Sequence, residues 1–271
     1  MHINQKSSCP FNYAGSKSAY TFLHDIECNV IDLFAGGGGF YSNVASGKVF
    51  VNDMNEHIIS FQKMLYEMND AQYAMLKKDI YSRTSAITSR EAYEAMRSEF
   101  NHGKSPVLFY CCLCCCTNNL IRFNKKGGFN QTWGQRMFNS SMEYKLDSFR
   151  NRIRGKNIMF NTGSYQDIPQ YENALYFVDP PYLITAAGYS TDWSESDDRS
   201  LYAYLYNKRF AMTNYLSRGT VTNEILRQAI HENNWSVTTI REGKMKAQKD
   251  SSYINEVLIC DSEDTKKIFN I

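Results

Sequence analysis

The sequence predicts an α/β fold with an open sheet, and three short stretches support that prediction. Residues 30–34, 48–53 and 175–178 are runs rich in apolar and β-forming side chains, as expected of buried strands. Between them lie segments with helical periodicity, at residues 56–70 and 90–100. Strands that alternate with helices are typical of α/β domains. A chain of 271 residues suffices for one such domain, with or without an insertion.

The composition is that of a globular protein with one basic segment. Apolar residues make up 43% of the chain, which excludes disorder, and 19 Tyr and 16 Phe supply rings that suit base stacking. The net charge is only +2, but residues 120–156 carry nine Lys/Arg against Glu143 and Asp147, a local charge of +7. The rest of the chain then carries −5. A nucleic-acid role would therefore depend on this segregated basic segment.

No segment predicts export or insertion into a membrane. The first six residues lack the apolar stretch of a signal peptide. The longest apolar run, at residues 106–116, is too short to cross a bilayer. We expect a soluble, cytoplasmic protein with no membrane partner.

The first motif, residues 11–17, places an aromatic residue and small residues before Lys17, which opens a predicted helix. A helix-capping turn explains this motif equally well.

The strand at residues 30–34 leads into a glycine turn at residues 35–40, where glycines tolerate positive φ angles and let a ligand approach the backbone. Counted from Gly36, the third glycine of the dinucleotide fingerprint G-x-G-x-x-G falls on Tyr41, which disfavours an NAD or FAD site.

The second strand ends in Asp53, seventeen positions after Gly36. A carboxylate at the tip of this strand suits the two hydroxyls of a ribose. The alternative is that Asp53 caps the helix that begins near Glu56.

Five of the eight cysteines fall within six residues: Cys111, Cys112, Cys114, Cys115 and Cys116. Cysteines this close together cannot cross-link a fold, and no second CxxC pair or nearby His completes a zinc site. A buried helix with small thiol side chains is favoured over a metal or redox centre.

Residues 120–133 predict a β-hairpin with a glycine turn. Its edges carry Arg122, Asn124, Lys125 and Lys126, and Arg136 lies just beyond. Arg and Asn side chains read base edges in the major groove, and Lys contacts phosphates. The alternative is a basic hairpin that is merely solvated.

The strand at residues 175–178 is followed by Asp179, Pro180, Pro181 and Tyr182. The prolines end the strand because neither can donate to a sheet ladder. A carboxylate, two constrained carbonyls and an aromatic ring therefore reach the sheet edge where ligands bind. Acceptors beside a stacking ring suit a planar, amine-bearing substrate such as a nucleobase, and the alternative is an ordinary strand-ending turn.

The remaining segments complete the sheet. Residues 158–160 and 208–213 predict strands, residues 194–197 cap a helix, and residues 221–233 predict another helix. Residues 235–240 and 253–260 predict an antiparallel pair, joined by a cationic loop at residues 241–249 that would also suit phosphate.

Four blocks, taken in order, resemble the Dam-like (D12 class) DNA adenine-N6 methyltransferases. They are the segment from Tyr13 to Lys17, Asp32-Leu33-Phe34-Ala35-Gly36, Asn52-Asp53-Met54-Asn55 and Asp179-Pro180-Pro181-Tyr182. Residues 119–124 with their hairpin are similar to the family's target-reading element, and Leu183-Ile184-Thr185 with Trp193-Ser194-Glu195 resemble the phage members. The resemblance covers nearly the whole chain. It implies a Rossmann-like class I methyltransferase domain, residues 1–56 and 157–271, interrupted by a mostly helical target-recognition insert at residues 57–156.

The resemblance also implies ligands and residue roles. The cofactor would be S-adenosyl-L-methionine and the partner double-stranded DNA, with no metal, and the protein would be a monomer or a weak dimer. The implied cofactor-binding residues are Tyr13, Lys17, Asp32, Phe34, Gly36, Asp53, Tyr165 and Asp167. The implied DNA-binding residues are Asn118, Asn119, Arg122, Asn124, Lys125, Lys126, Thr132 and Arg136. The implied catalytic residues are Asp179, Pro180, Pro181 and Tyr182.

The implied reaction is direct, in-line methylation of the N6 amine of a flipped-out adenine. Asp179 and the Pro180 carbonyl would each accept one amine hydrogen, and Tyr182 would stack on the base. Family members with Arg at the position of Arg122 read the guanine of GATC, so that site is expected. Thr117 and Thr132 depart from the family, because relatives often carry an aromatic residue and a proline there.

Three alternatives remain open. A cytosine-N4 methyltransferase would use similar chemistry, although Asp179 and the motif order favour adenine. A catalytically silent DNA-binding relative is disfavoured by the presence of Lys17, Asp53 and Asp179, and cofactor binding would discriminate it from the enzyme. A nicotinamide-dependent oxidoreductase is disfavoured by the glycine pattern and by the Asp179 turn.

Overall fold

The computed structural model describes residues 9–13, 15–17, 20, 22, 26–45, 47–184, 193–244 and 253–270. Within them one sheet has eight strands: β1 (Asn29–Asp32), β2 (Lys48–Asp53), β3 (Asn157–Thr162), β4 (Ala174–Val178), β5 (Phe210–Arg218), β6 (Val221–Thr222), β7 (Ser236–Lys244) and β8 (Tyr253–Cys260). The same residues form the α-helices α1 (Glu56–Glu67), α2 (Asp70–Ser85), α3 (Arg90–Gly103), α4 (Pro106–Cys115), α5 (Ser140–Ile153), α6 (Glu195–Leu205), α7 (Glu224–Asn233) and α8 (Glu263–Lys267).

The sheet confirms the predicted α/β class. Its strand order is β3-β2-β1-β4-β5-β8-β7, with β6 paired to β5. Strands β3, β2, β1, β4 and β5 are parallel, and β8 and β7 join them antiparallel. The chain leaves β1 toward β2 on one side and returns as β4 on the other. In open α/β sheets this reversal creates a crevice at the carboxyl ends of the strands, where ligands bind.

Both faces of the sheet are covered, which explains the continuous apolar runs of its parallel strands. All five residues of β4 are buried. Leu175 and Phe177 face one core, whereas Tyr176 and Val178 face the other.

The five helices from α1 to α5 lie between β2 and β3 in the chain. They share a core with one face of the sheet, where the ring of Phe61 in α1 stacks on Tyr110 in α4 at 4.5 Å between centroids. That residues 57–156 form a separate target-recognition unit stays a prediction. The helices predicted at residues 56–70 and 90–100 correspond to α1 and α3. The sequence does not predict α2, because its buried face is a narrow row of Tyr73, Leu76, Ile80 and Thr84 in an otherwise polar segment.

The cysteine cluster lies in and just after α4, as a buried helix, which confirms the structural interpretation. Burial raises the pKa of Cys111 and of Cys115 to about 12, so these thiols stay protonated at neutral pH. No three His, Cys, Asp or Glu side chains in the described part of the chain are grouped so that they could hold a metal ion.

The predicted hairpin forms only in part. Isolated antiparallel bridges join Phe123 to Phe129 and Cys116 to Trp133, without continuous strands. The reason is that side chains of α3 bind the returning backbone. Asn101 exchanges two hydrogen bonds with the backbone of Phe129, and Arg97 donates to the carbonyl of Gln131 at 2.8 Å.

The carboxyl-terminal third follows the prediction with shifted boundaries. Strands β7 and β8 form the predicted antiparallel pair. Helix α7 begins at Glu224 rather than at residue 221, because residues 221–222 pair with β5. Of the predicted cationic loop, residues 245–249 lie outside the described residues, as do most residues of the helix predicted after Lys17 and the amino-terminal residues 1–8. Among the helices that are described, none is long and apolar enough to cross a membrane.

Candidate active site

Asp179 follows the last residue of β4, at the carboxyl edge of the sheet. Val178 pairs with Met212 of β5, so the next residues, Asp179 and Thr213, lie side by side. The Thr213 hydroxyl donates to Oδ1 of Asp179 at 2.7 Å, the Lys17 ammonium lies 2.9 Å from the same oxygen, and the Tyr182 hydroxyl lies 3.1 Å from it. Oδ2 receives no hydrogen bond from any described residue. The carboxylate is therefore fixed through one oxygen and open at the other.

A second carboxylate, Glu256 of β8, lies behind this group. Its side chain is buried, with 3% of the residue exposed. Oε1 accepts a hydrogen bond from Tyr182 at 3.0 Å and lies 3.4 Å from Lys17, and Oε2 accepts from Tyr20 at 2.6 Å. Lys17 and Tyr182 each therefore contact both Asp179 and Glu256.

Lys17 is the cation between these two carboxylates. Burial alone would lower the pKa of Lys17, but the charges of Asp179 and Glu256 outweigh it and raise that pKa. Burial also raises the pKa of Tyr182 well above its ordinary value, and the two neighbouring carboxylates add to this effect. Both side chains are thus held as donors, and two carboxylates share one ammonium.

The glycine turn after β1 is fastened to the tip of β2. The Gly36 N–H donates to Oδ2 of Asp53 at 2.7 Å, and the Asn55 N–H donates to Oδ1 at 2.8 Å. Burial raises the pKa of Asp53, and these two N–H groups offset part of the shift. The N-cap of α1 is Asn55, not Asp53. Asp53 is therefore a fixed acceptor at the strand tip.

The side chain of Tyr13 lies so close to the glycine turn that it leaves no room for a side chain at Gly36 or Gly37. A Cβ atom at Gly36 would come within 2.6 Å of the Tyr13 ring, and one at Gly37 would come within 2.7 Å of the Cβ of Tyr13. From the other side, the Gln62 side chain donates to the Gly36 carbonyl at 2.9 Å. The turn is thus held between α1 and the amino-terminal segment.

Asp32, the last residue of β1, is a buried acid near Asp53 and Asp179. It is 1% exposed, and neither of its side-chain oxygens has a hydrogen-bond partner among the described residues. Burial raises its pKa well above the ordinary value, as do the charges of Asp179 and Asp53. The nearby backbone N–H groups of Tyr41 and Phe34 offset only part of this shift.

An aromatic wall adjoins the glycine turn. The ring of Phe34 lies 5.4 Å from that of Tyr165 and 5.8 Å from that of Trp193, between centroids. Trp193 is anchored by a 2.8 Å hydrogen bond from its indole N–H to Asp198. Asp167 is exposed at the end of the short 3₁₀ turn Tyr165–Asp167. The wall suits a flat apolar group.

The basic loop at residues 117–136 is on the surface. Its exposed residues from the predicted DNA-binding set are Asn118, Arg122, Asn124, Lys125, Lys126, Thr132 and Arg136. Two asparagines of the set also shape the loop. Asn119 is buried and donates to the carbonyls of Leu113 and Cys114 at the end of α4, and Asn124 accepts the N–H groups of Lys126 and Gly128 in the turn.

The two threonines that depart from the resembled family contact each other, with 2.9 Å between the hydroxyl oxygens of Thr117 and Thr132.

Sequence reasoning missed Thr213, Glu256 and Tyr20. Glu256 could have been found, because a single acid in the apolar run of β8 is unusual for a strand with a buried side. Nothing in the sequence pairs Thr213 with Asp179, since that contact depends on the register of β4 and β5.

Comparisons with known proteins identify a family for this chain. The family model described as D12 class N6 adenine-specific DNA methyltransferase matches residues 13–243. Over 245 residues the chain is 26% identical to the type II methyltransferase M.FokI of Planomicrobium okeanokoites, a match that covers 82% of this chain and 38% of that protein. Over 200 residues it is 25% identical to a DNA adenine methylase of Vibrio cholerae, covering 69% of this chain and 70% of that protein.

The chain thus spans less than half the length of M.FokI. Among solved structures, P. horikoshii TYW2 in complex with MeSAdo is similar with a TM-score of 0.37 and 9% identity, over 93% of this chain and 66% of that chain.

Proposed function

Because the chain belongs to the D12 class of N6 adenine-specific DNA methyltransferases, we propose that it transfers a methyl group from S-adenosylmethionine to the N6 amine of adenine in duplex DNA. The observation that carries this proposal is the state of Asp179, which is held through Oδ1 by three side chains and left open at Oδ2. With the adjacent Pro180 carbonyl, the open oxygen offers two acceptors for an amine that has two hydrogens.

The chemistry of the amine explains the need for two acceptors. The lone pair of an exocyclic adenine nitrogen is conjugated with the ring and is a poor nucleophile. Hydrogen bonds from the amine to Oδ2 of Asp179 and to the Pro180 carbonyl favour a tetrahedral nitrogen whose lone pair points away from the ring. This is positioning and preorganised electrostatics, with no covalent enzyme intermediate. Oδ2 of Asp179 would also receive the proton that the methylated nitrogen loses.

The residues at the glycine turn fit the proposed cofactor. Each oxygen of Asp53 accepts one backbone N–H and retains a lone pair for a ribose hydroxyl. Asp32 is a buried acid without a hydrogen-bond partner in the described part of the chain, as expected of a carboxylate that would bind the ammonium of the cofactor's amino-acid part. Phe34 and Tyr165 would cover the adenine ring. When bound, S-adenosylmethionine supplies an electrophilic methyl group on a sulfonium.

The DNA substrate would have to present its adenine outside the helix. A base within a duplex cannot reach a carboxylate at the floor of a protein crevice, so the proposal includes base flipping. Tyr182 is the ring proposed to stack on the flipped base, a contact of about 1–3 kcal/mol. Its edge-to-face contact with Tyr215, 4.6 Å between centroids, supports the ring.

The proposed target is GATC. Its support is the exposed Arg122 on the basic loop, since Arg is the usual bidentate reader of guanine. Lys125 and Lys126, exposed at the loop's turn, would bind phosphates. The methyl group of Thr132 would contact a thymine.

The test is transfer of labelled methyl from S-adenosylmethionine to unmethylated plasmid, with the modified bases mapped along the sequence. Modified adenine in GATC is expected. Modified adenine in another site would keep the chemistry and refute the role of Arg122. Modified cytosine, or no transfer by protein that binds DNA, would refute the proposed function.

A further inference from the structure

We propose that Glu256 is a positioning residue of this active site, which sets Lys17 and Tyr182 in the places from which they act on Asp179 and on the target base. The inference deepens the proposed methyltransferase function and rests on it.

The first argument is the cost of burying Glu256. A buried carboxylate is destabilising unless it is paired and hydrogen-bonded, and an apolar residue of similar size commonly serves the fold at least as well. Glu256 stands in an otherwise largely apolar strand and is 3% exposed. Its partners Lys17, Tyr182 and Tyr20 come from two separate parts of the chain. Two of these three also contact Asp179, so the carboxylate is placed where it affects the reaction.

The second argument is the division of one positive charge. The Lys17 nitrogen lies 2.9 Å from Oδ1 of Asp179 and 3.4 Å from Oε1 of Glu256. Without the Glu256 charge, the ammonium would pair with Asp179 alone. A more fully neutralised Asp179 is a weaker acceptor for the amine of the substrate, because acceptor strength rises with unshared negative charge.

The third argument is the single proton of Tyr182. Its hydroxyl oxygen lies 3.0 Å from Glu256 and 3.1 Å from Asp179, and one proton cannot satisfy both acceptors fully. Glu256 therefore draws this proton away from Asp179 and fixes the far end of the Tyr182 ring. Tyr20, which donates to the other oxygen of Glu256 at 2.6 Å, fixes the carboxylate in turn.

The experiment compares Glu256→Gln with Glu172→Gln, an equal loss of charge at an exposed position in the turn before β4. Single-turnover methyl transfer is measured with saturating S-adenosylmethionine and DNA, together with the dissociation constant of the cofactor and the melting temperature. We expect Glu256→Gln to slow transfer roughly 10- to 100-fold, as loss of one charged hydrogen bond at the transition state would. We expect cofactor affinity within about threefold of the wild type, and a wild-type rate for Glu172→Gln.

Two further variants keep the inference testable. Glu256→Asp retains the charge and should recover part of the lost rate, which a role in packing alone would not predict. If Glu256→Gln fails to fold, Tyr20→Phe removes a contact of Glu256 while leaving Asp179 untouched, and we expect it to slow single-turnover transfer.

Wild-type transfer rates for folded Glu256→Gln, or for Tyr20→Phe where Glu256→Gln does not fold, would overturn the role of Glu256 and leave the proposed function standing. A wild-type protein that transfers no methyl to DNA would instead overturn both.

Discussion

Replacing Asp32 with Asn tests the electrostatics of the site most sharply. The substitution removes the charge of the side chain and keeps its shape. Asp32 is buried, lacks a hydrogen-bond partner among the described residues and lies near two other acids. We expect Asp32→Asn to remove a pH-dependent cost to stability and, at the same time, to weaken the binding of S-adenosylmethionine.

The magnitude follows from proton linkage. Burial, with the charges of Asp179 and Asp53, raises the folded-state pKa of Asp32 above its ordinary value of 3.8. Below pH 3.8 Asp32 is protonated in both the folded and the unfolded protein, so its burial costs no stability there. As the pH rises from 3.8 through the raised pKa, the unfolded protein releases this proton more readily than the folded protein does, and the folded protein loses stability. In that window the free energy of unfolding falls by up to about 1.4 kcal/mol per pH unit for this one proton. For a chain of 271 residues the loss corresponds to about 2–3 °C in melting temperature per pH unit.

The assay is thermal unfolding of the cofactor-free protein across pH at constant ionic strength, for the wild type, Asp32→Asn and the control Asp264→Asn. Asp264 is exposed in α8, and a hydrogen bond from Lys267 lowers its pKa, so its removal should leave the slope above pH 5 unchanged. Asp32→Asn should flatten the slope, and calorimetry should show weaker binding of S-adenosylmethionine. Equal slopes for wild type and Asp32→Asn, or undiminished cofactor affinity, would refute the reasoning.

Other substitutions test the remaining parts of the site. Thr213→Val removes a 2.7 Å donor to Asp179 and should slow single-turnover transfer roughly 10- to 100-fold; an unchanged rate would mean that Lys17 and Tyr182 suffice to fix the carboxylate. Gly37→Ala would bring a Cβ within 2.7 Å of the Cβ of Tyr13 and should weaken cofactor binding in calorimetry, whereas wild-type affinity would mean that the Tyr13 side chain moves freely. Arg122→Ala should reduce the discrimination against the wrong base by about 1–3 kcal/mol and relax the sequence preference at one base pair in a competition assay. A uniform loss of DNA affinity across sequences would indicate a phosphate contact instead.

The elements that the sequence predicts best are those whose surroundings are uniform. Strand β4 is buried on both faces, so its five residues form a continuous apolar run whose end is marked by two prolines. Asp179 could therefore be placed at the correct edge of the sheet before any contact was known. The sequence does not predict helix α2, because the buried residues of this helix form only a narrow row in a polar segment.

Contacts between distant segments could not be predicted in the same way. Asn119 and Asn124 have the side chain of a base reader, but the same amide groups satisfy backbone groups at the end of α4 and in the turn. Lys17 was assigned to the cofactor by resemblance, and the structure brings its ammonium to Asp179 and Glu256, 162 and 239 residues away in the chain. Its role toward the cofactor stays a prediction.

The central claim is that Asp179 activates the amine of adenine. The most direct measurement is mass spectrometry of nucleosides from a duplex incubated with S-adenosylmethionine and either wild-type protein or Asp179→Ala. The account predicts N6-methyladenine with the wild type and none with Asp179→Ala, although that variant still binds DNA. N4-methylcytosine as the product, or undiminished N6-methyladenine with Asp179→Ala, would contradict it.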